Sequence, residues 1–205
     1  MVGEGERGLE ELLALARGGD DAALGQALER FRPYLTVLAR VQIGRRLQGK
    51  ADPADVVQET FLRAVRDVAQ FRGTSDRELA GWLRQILASR LADLVRHYCG
   101  TQRRDVRLEQ ALQVELDQSS QVLERGLVAP LSSPSQQAAG HEQAAWLAQA
   151  LERLPEDYRE VLVLRHLEEC AFPEVARRMG RSVEAVKKLW ARALARLRRS
   201  VGDTP

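Results

Sequence analysis

Near the end of the chain runs F-P-E-V-A-R-R-M-G-R-S-V-E-A-V-K-K-L-W (172–190), and its spacing leaves few structural options. Ala176 is a small residue inside a short apolar helix. Gly180 follows four residues on, where a tight helix-to-helix turn requires a residue that tolerates positive φ. Val186 comes six after that, on the inner face of a second helix. Val175, Met179, Val183 and Leu189 fill the remaining apolar slots at helical spacing. The pattern predicts a helix-turn-helix, with Ser182 capping the second helix. That helix carries Lys187, Lys188, Arg192, Arg196, Arg198 and Arg199 against one acid, Glu184, while Arg177, Arg178 and Arg181 lie in the first helix and the turn. A charge run alone is usually a solvated surface. Here it coincides with a turn spacing that has its own steric cause, and the pair points to nucleic acid.

The basicity is local. Lys and Arg total 31 against 29 Asp and Glu, a net charge of +2 over 205 residues. Leu, Ala, Arg and Glu dominate and no long stretch alternates with period two, so an all-α fold is expected. No apolar run approaches bilayer length, and M-V-G-E-G-E-R lacks a secretion pattern. A cytoplasmic protein without membrane contact is therefore expected. Cys99 and Cys170 are too few for a disulfide scaffold. His97 and Cys99 are two metal-ligand types with no third nearby, so no metal and no cofactor are expected. Asp52, Asp55 and Glu59 are better explained by helix capping and solvation than by a metal. No phosphate loop or nucleophile arrangement supports an enzyme.

Several helices announce their boundaries. Leu9 to Arg17 form an amphipathic helix closed by Gly18-Gly19, and Asp20 or Asp21 caps the next, in which Pro33 imposes a kink or a break. Asp52 caps another helix with Pro53 at its first position, and Val57, Phe61, Ala64, Val65 and Val68 read as its buried stripe. Ser75 and Glu78 form a capping box. The helix they open buries Leu79, Trp82, Leu83, Ile86 and Leu87 and reaches about Tyr98. Leu108 to Leu116 fit a short helix with acidic outer positions, and beyond it the chain becomes rich in Ser and Gln and is interrupted by Gly and Pro, so it reads as a linker. Structure resumes at Ser133-Pro134, and Pro155 starts the helix before the helix-turn-helix. Two small helical domains are expected, 1–107 and 134–201, joined by a flexible linker at 108–133.

D-V-V-Q-E-T-F-L-R-A (55–64), F-R-G-T (71–74) and Trp82-Leu83 resemble the second conserved region of sigma-70-type factors. L-E-R-L-P-E-D-Y-R-E-V-L-V-L-R-H (151–166) and the helix-turn-helix resemble the fourth. With a bare linker between them, the layout is similar to that of the extracytoplasmic-function (ECF) subfamily. The resemblance implies a non-catalytic initiation subunit that binds core RNA polymerase, directs it to promoter DNA and helps open the strands. It places Asp55, Gln58, Glu59 and Leu62 on the β′ coiled coil, and Leu162, Arg165 and His166 against the β flap, where packing is an equal alternative. It implies capture of a downstream (minus-ten) base by the loop Arg72, Gly73, Thr74, Ser75 and Asp76, with Arg77, Arg84, Arg96, Arg103 and Arg104 on the backbone. It assigns the upstream (minus-thirty-five) element to Arg181, Ser182, Glu184, Lys187, Lys188 and Arg192. Trp82 is expected in the core and Trp190 packed in a slot usually held by Leu. Leu189 stands where many relatives carry a basic residue. Many relatives are held by an anti-sigma factor. The competing reading is a free-standing helix-turn-helix regulator acting without polymerase.

Overall fold

The computed structural model describes residues 8–47, 50–99, 106–125 and 140–202. Ten α-helices and no strand occur among them. The first five are α1 (Leu9–Arg17), α2 (Asp21–Glu29), α3 (Arg32–Arg46), α4 (Pro53–Asp67) and α5 (Asp76–Cys99), with a 3-10 turn at Val68–Gln70 between the last two. They are followed by α6 (Val106–Arg125), α7 (Gly140–Glu152) and α8 (Glu156–Leu162). A π-turn at Val163–Leu167 continues α8, and α9 (Phe172–Arg178) and α10 (Val183–Gly202) complete the chain. No helix is long and apolar enough to cross a membrane among the described residues.

Local chemistry sets most of these boundaries. Asp20 accepts from the Ala23 backbone N–H at 3.0 Å and caps α2. Asp52 accepts from the Ala54 N–H at 2.8 Å and caps α4, with Pro53 in its first turn. Pro33 lies in the first turn of α3, so it separates α2 from α3 rather than kinking one helix.

The stripe of α4 differs from expectation at one end. Val56, Val57, Thr60, Phe61 and Ala64 are buried, whereas Val65 is 45% exposed and Val68 only partly covered. Val65 follows Ala64 by one residue, a rotation of about 100° that carries it off the buried face.

The described part of the expected linker is helix, through Arg125. Leu112, Leu116 and Leu123 of α6 are fully buried, and the helix packs against α5, α7 and α3. Their spacing of four and seven residues makes one apolar stripe inside a Ser- and Gln-rich sequence. Ser119 and Ser120, which suggested a solvated tether, are buried, and the Tyr34 hydroxyl donates to Ser120 Oγ at 2.8 Å. A satisfied hydroxyl is compatible with a helical interior. Residues 126–139, including the expected restart at Ser133-Pro134, lie outside the described residues.

The two halves consequently share one core. Helix α3 sits in the middle of it, with Leu35, Val37, Leu38, Ala39 and Val41 all wholly inaccessible. It is flanked by α4 and α5 from the first half and by α6, α7 and the π-turn from the second.

If α6 is structural, Leu116→Ala should destabilise the chain by about 2–5 kcal/mol in urea unfolding. An unchanged midpoint would return α6 to the status of a tether.

Candidate nucleic-acid and protein interfaces

The helix-turn-helix forms as its spacing requires. Gly180 has φ of +62°, Arg181 donates its N–H to the Ala176 carbonyl at 3.0 Å, and Gly180 donates to Arg177 at 3.4 Å. These two bonds close α9 in a Schellman motif. Ser182 Oγ accepts from the Ala185 N–H at 3.2 Å and starts α10. Val186, Leu189, Ala193, Leu194 and Leu197 turn inward, and α10 packs on α8 and α9. Leu189 is buried, so it serves the core rather than the outer face.

The outer face of α10 carries Glu184, Lys187, Lys188, Arg192, Arg196, Arg198 and Arg199, all exposed. Some of the surrounding charge is already engaged. Lys187 Nζ lies 2.9 Å from Glu184, and Arg181 pairs with Asp157 of α8. Glu174 accepts from both Arg177 and Arg178. Its side-chain bonds to Arg177 first, then Arg178, hold its carboxyl down at about 2. Lys188, Arg192, Arg196 and Arg198 have no ion pair among the described residues, so on this face their charge is not already engaged.

Trp190 packs as expected. Its indole N–H donates to His166 Nε2 at 3.0 Å, and the two rings stack with centroids 6.1 Å apart. Phe172 meets the indole edge-on at 5.6 Å. Burial, then the neighbouring Arg165, lowers the His166 pKa, which favours the neutral imidazole that this bond needs. Of the residues read as flap contacts, Leu162 is wholly buried and His166 is committed to Trp190. Arg165 lies over the Phe172 ring at 5.2 Å.

The loop between α4 and α5 is built around Gly73. A Cβ there would stand 2.6 Å from both the Phe71 ring and Glu78 Cβ, so only glycine fits without a shift. The Glu78 carboxylate accepts from Thr74 N–H at 2.9 Å, Ser75 N–H at 3.1 Å and Ser75 Oγ–H at 2.8 Å. Those bonds hold its pKa below the ordinary carboxylate range. Ser75 Oγ in turn accepts from Glu78 N–H at 3.3 Å, completing the capping box. Arg17 of α1 donates to the Gly73 carbonyl. Arg72, Thr74 and Arg77 remain exposed, with Gly73 and Ser75 half-covered.

Trp82 differs from the expectation of a core residue. It stacks on Phe71 with centroids 4.9 Å apart and stays half-buried. There it lines an open cleft of about 570 Å³ whose charged residues are Arg63, Arg90 and Arg96 together with Asp67 and Asp93. Arg63 pairs with Asp67, and Arg90 with Glu59 and Asp93, so the aromatic face is bordered by ion pairs. Arg96 sits in this cleft paired to Asp93.

Arg84, expected on the nucleic-acid surface, is turned into the α3–α5–α6 seam with only 13% of its side chain exposed. It donates to Asp117 and to the Tyr34 hydroxyl, each at 2.7 Å. Arg103 and Arg104 lie outside the described residues.

On α4, Asp55, Gln58, Glu59 and Leu62 share the outer side and all are exposed, Leu62 by 50%. Arg32 donates to Gln58 at 3.1 Å, and Arg90 pairs with Glu59. Val65, missed by sequence reasoning, lies three residues from Leu62 and makes a two-residue apolar anchor. The signal was available, since i and i+3 share a helix face.

Residues 29–98 match Sigma-70 region 2, and residues 144–197 match Sigma-70, region 4. The chain is 30% identical over 193 residues to the ECF RNA polymerase sigma factor BldN of Streptomyces coelicolor, covering 94% of this chain and 66% of BldN. It is 32% identical over 186 residues to the RNA polymerase sigma factor CnrH of Cupriavidus metallidurans, covering 91% of this chain and 90% of CnrH. A solved structure of CnrH in complex with the cytosolic domain of CnrY is 28% identical, with 95% of this chain and 98% of that chain covered and a TM-score of 0.35.

Acid unfolding should report the Glu174 cluster. A depressed carboxylate contributes stability that is present above its ordinary pKa near 4.5 and is lost as pH falls towards 2. In Glu174→Gln the unfolding curve should be flatter across that window, and a curve that superimposes on the wild type would exclude the contribution.

Proposed function

The chain belongs to the ECF sigma factors of the sigma-70 family, and from that premise we propose how its residues divide the work of an initiation subunit. A sigma factor binds core RNA polymerase, directs it to specific promoters and helps open the DNA. This chain carries out that role by contacts rather than chemistry, with bond formation left to the polymerase and both acting in the cytoplasm. The observation that carries the division is the separation of two differently built surfaces. One is the cationic outer face of α10, and the other is the α4–α5 face with its apolar anchor and its glycine-pinned loop.

The upstream element is read by α10 in the major groove, where Glu184 is suited to accept from cytosine and Lys or Arg to donate to guanine. Lys188 and Arg192 meet phosphate or base edges directly, whereas Lys187 and Arg181 must first leave Glu184 and Asp157. The downstream element is held at the Arg72–Ser75 loop. Its exposed polar groups read an unstacked base while Arg77, Arg96 and the Trp82 cleft hold the neighbouring strand. The polymerase β′ coiled coil docks on Asp55, Gln58, Glu59 and Leu62, with Val65 widening the apolar centre inside a polar rim. The β flap is contacted beside Arg165. A protein of the anti-sigma type is a further partner, as for other ECF members, and would compete for these same faces. The functional partition follows the sequence reading, with 1–107 for the polymerase and downstream element and 134–201 for the upstream element.

Run-off transcription with purified core polymerase over genomic fragments of the source organism tests this reading. The wild-type chain is expected to start RNA at discrete sites, whereas a free-standing regulator would bind duplex DNA alone and start none. Leu62→Asp should weaken co-migration with core enzyme at least tenfold without loss of helix content. Retention of full affinity would move the docking face elsewhere. Lys188→Ala should reduce the magnitude of the holoenzyme's log-affinity against log-salt slope by about one, and an unchanged slope would remove Lys188 from the phosphate contacts.

A further inference from the structure

Helix α1 lies outside residues 29–98, the stretch matched to Sigma-70 region 2, and the division of work above gives it no part. Leu9, Leu12, Leu13 and Ala16 are buried and seat it on α2. Its last residue, Arg17, stays exposed and reaches to the α4–α5 loop, where its guanidinium donates to the Gly73 carbonyl 56 residues away. A cation in the last turn also suits the helix dipole. The dipole is served by many orientations of the side chain, however, and requires no bond to one distant carbonyl.

Gly73 is where the restraints on this loop converge. A Cβ on it would stand 2.6 Å from both the Phe71 ring and Glu78 Cβ, and Phe71 is itself stacked on Trp82. The next two N–H groups, of Thr74 and Ser75, go to the Glu78 carboxylate. That carboxylate is kept below its ordinary pKa by the Thr74 N–H first, then by Ser75, and least by the charge of Arg17. The ties to Phe71, Glu78 and Trp82 come from the loop and the start of α5, and they fix how the loop curls. The Arg17 bond is of another kind, because it fastens the loop backbone to a helix from the beginning of the chain.

Such a fastening matters to a loop that takes up an unstacked base. Extruding the base already costs unstacking energy. A loop that had to be ordered at the same moment would add its own conformational entropy to that cost. A guanidinium bond to the backbone orders the loop beforehand.

We propose that Arg17 is a positioning residue for recognition of the downstream element. By holding the Gly73 carbonyl it presets the Arg72–Ser75 loop, and α1 thereby takes part in promoter reading without touching the DNA. The inference rests on the assignment of that loop to the downstream element above.

The test uses holoenzyme assembled with the full-length wild type or with Arg17→Ala. Arg17 is exposed, so its truncation removes nothing from the buried face of α1. Each holoenzyme is titrated with a single-stranded non-template oligonucleotide covering the downstream element of a promoter found by run-off transcription. The same strand made abasic at each position in turn is titrated alongside. The wild type should show a position at which the abasic strand binds roughly tenfold more weakly, the weight of one stacked base. In Arg17→Ala that penalty should shrink roughly three- to tenfold, the weight of one net hydrogen bond. Affinity for the abasic strand and co-migration with core enzyme should stay at wild-type values. A penalty of undiminished size overturns the proposal. Equal weakening on the intact and abasic strands also overturns it, since that is what a direct contact of Arg17 with the DNA backbone would produce. A wild type that shows no abasic penalty strikes the assignment of the loop, and the recognition role with it. Amide exchange in the free full-length chain then shows separately whether Arg17 sets the loop. The Thr74 and Ser75 amides should exchange roughly threefold faster in Arg17→Ala, and equal rates overturn the bracing as well.

Discussion

Helix α3 is packed against five other elements, and what it presents on each side determines what can lie there. Its aliphatic residues meet α4 and α5 in the first half and the stripe of α6 and α7 in the second. Burial of that area is the main source of stability. Arg40, Arg45 and Arg46 emerge from the same helix between its apolar rows. Each is met by an acid or a carbonyl from the second half. The apolar rows supply affinity between the halves without direction, and the arginines fix the register at which they meet.

Charge is similarly apportioned over the rest of the surface. The chain is nearly neutral, yet its cations are not interchangeable. Those of α9 are tied to Glu174 and Glu168, Arg90 and Arg96 to Glu59 and Asp93, and Arg84 to Asp117. On α10, Lys188, Arg192, Arg196 and Arg198 keep no acid partner among the described residues. Exposed pairs within a Debye length cancel much of one another's field, so the positive potential over α10 is set by its unpaired cations.

The aromatic residues show a parallel division. Trp190 is consumed by packing between His166 and Phe172, where it sets the seating of α10 on the π-turn. Trp82 is only half consumed. Phe71 covers it on the loop side, and the rest borders the cleft between α4 and α5. Both lie on an apolar helical stripe in the sequence, and periodicity does not distinguish them. The difference comes from which neighbour arrives from elsewhere in the chain.

The features that could be read from the residues in order are those whose causes lie within a few positions. The Asp52-Pro53 start, the Ser75–Glu78 box and the Gly180–Ser182 turn all form with the partners expected, because a cap or a turn is satisfied by backbone three or four residues away. The all-α class follows from the same local periodicities. The first half of helix α6 was readable as a short helix over Leu108–Leu116, but its continuation to Arg125 was not. Asp-Gln-Ser-Ser-Gln reads as solvated until Tyr34, 86 residues away, supplies the hydroxyl partner for Ser120. Arg84 was legible as a surface cation and Val65 as a buried one of its stripe. Each changed sides because burial depends on what packs against a helix face, and that is settled by contacts distant in the chain.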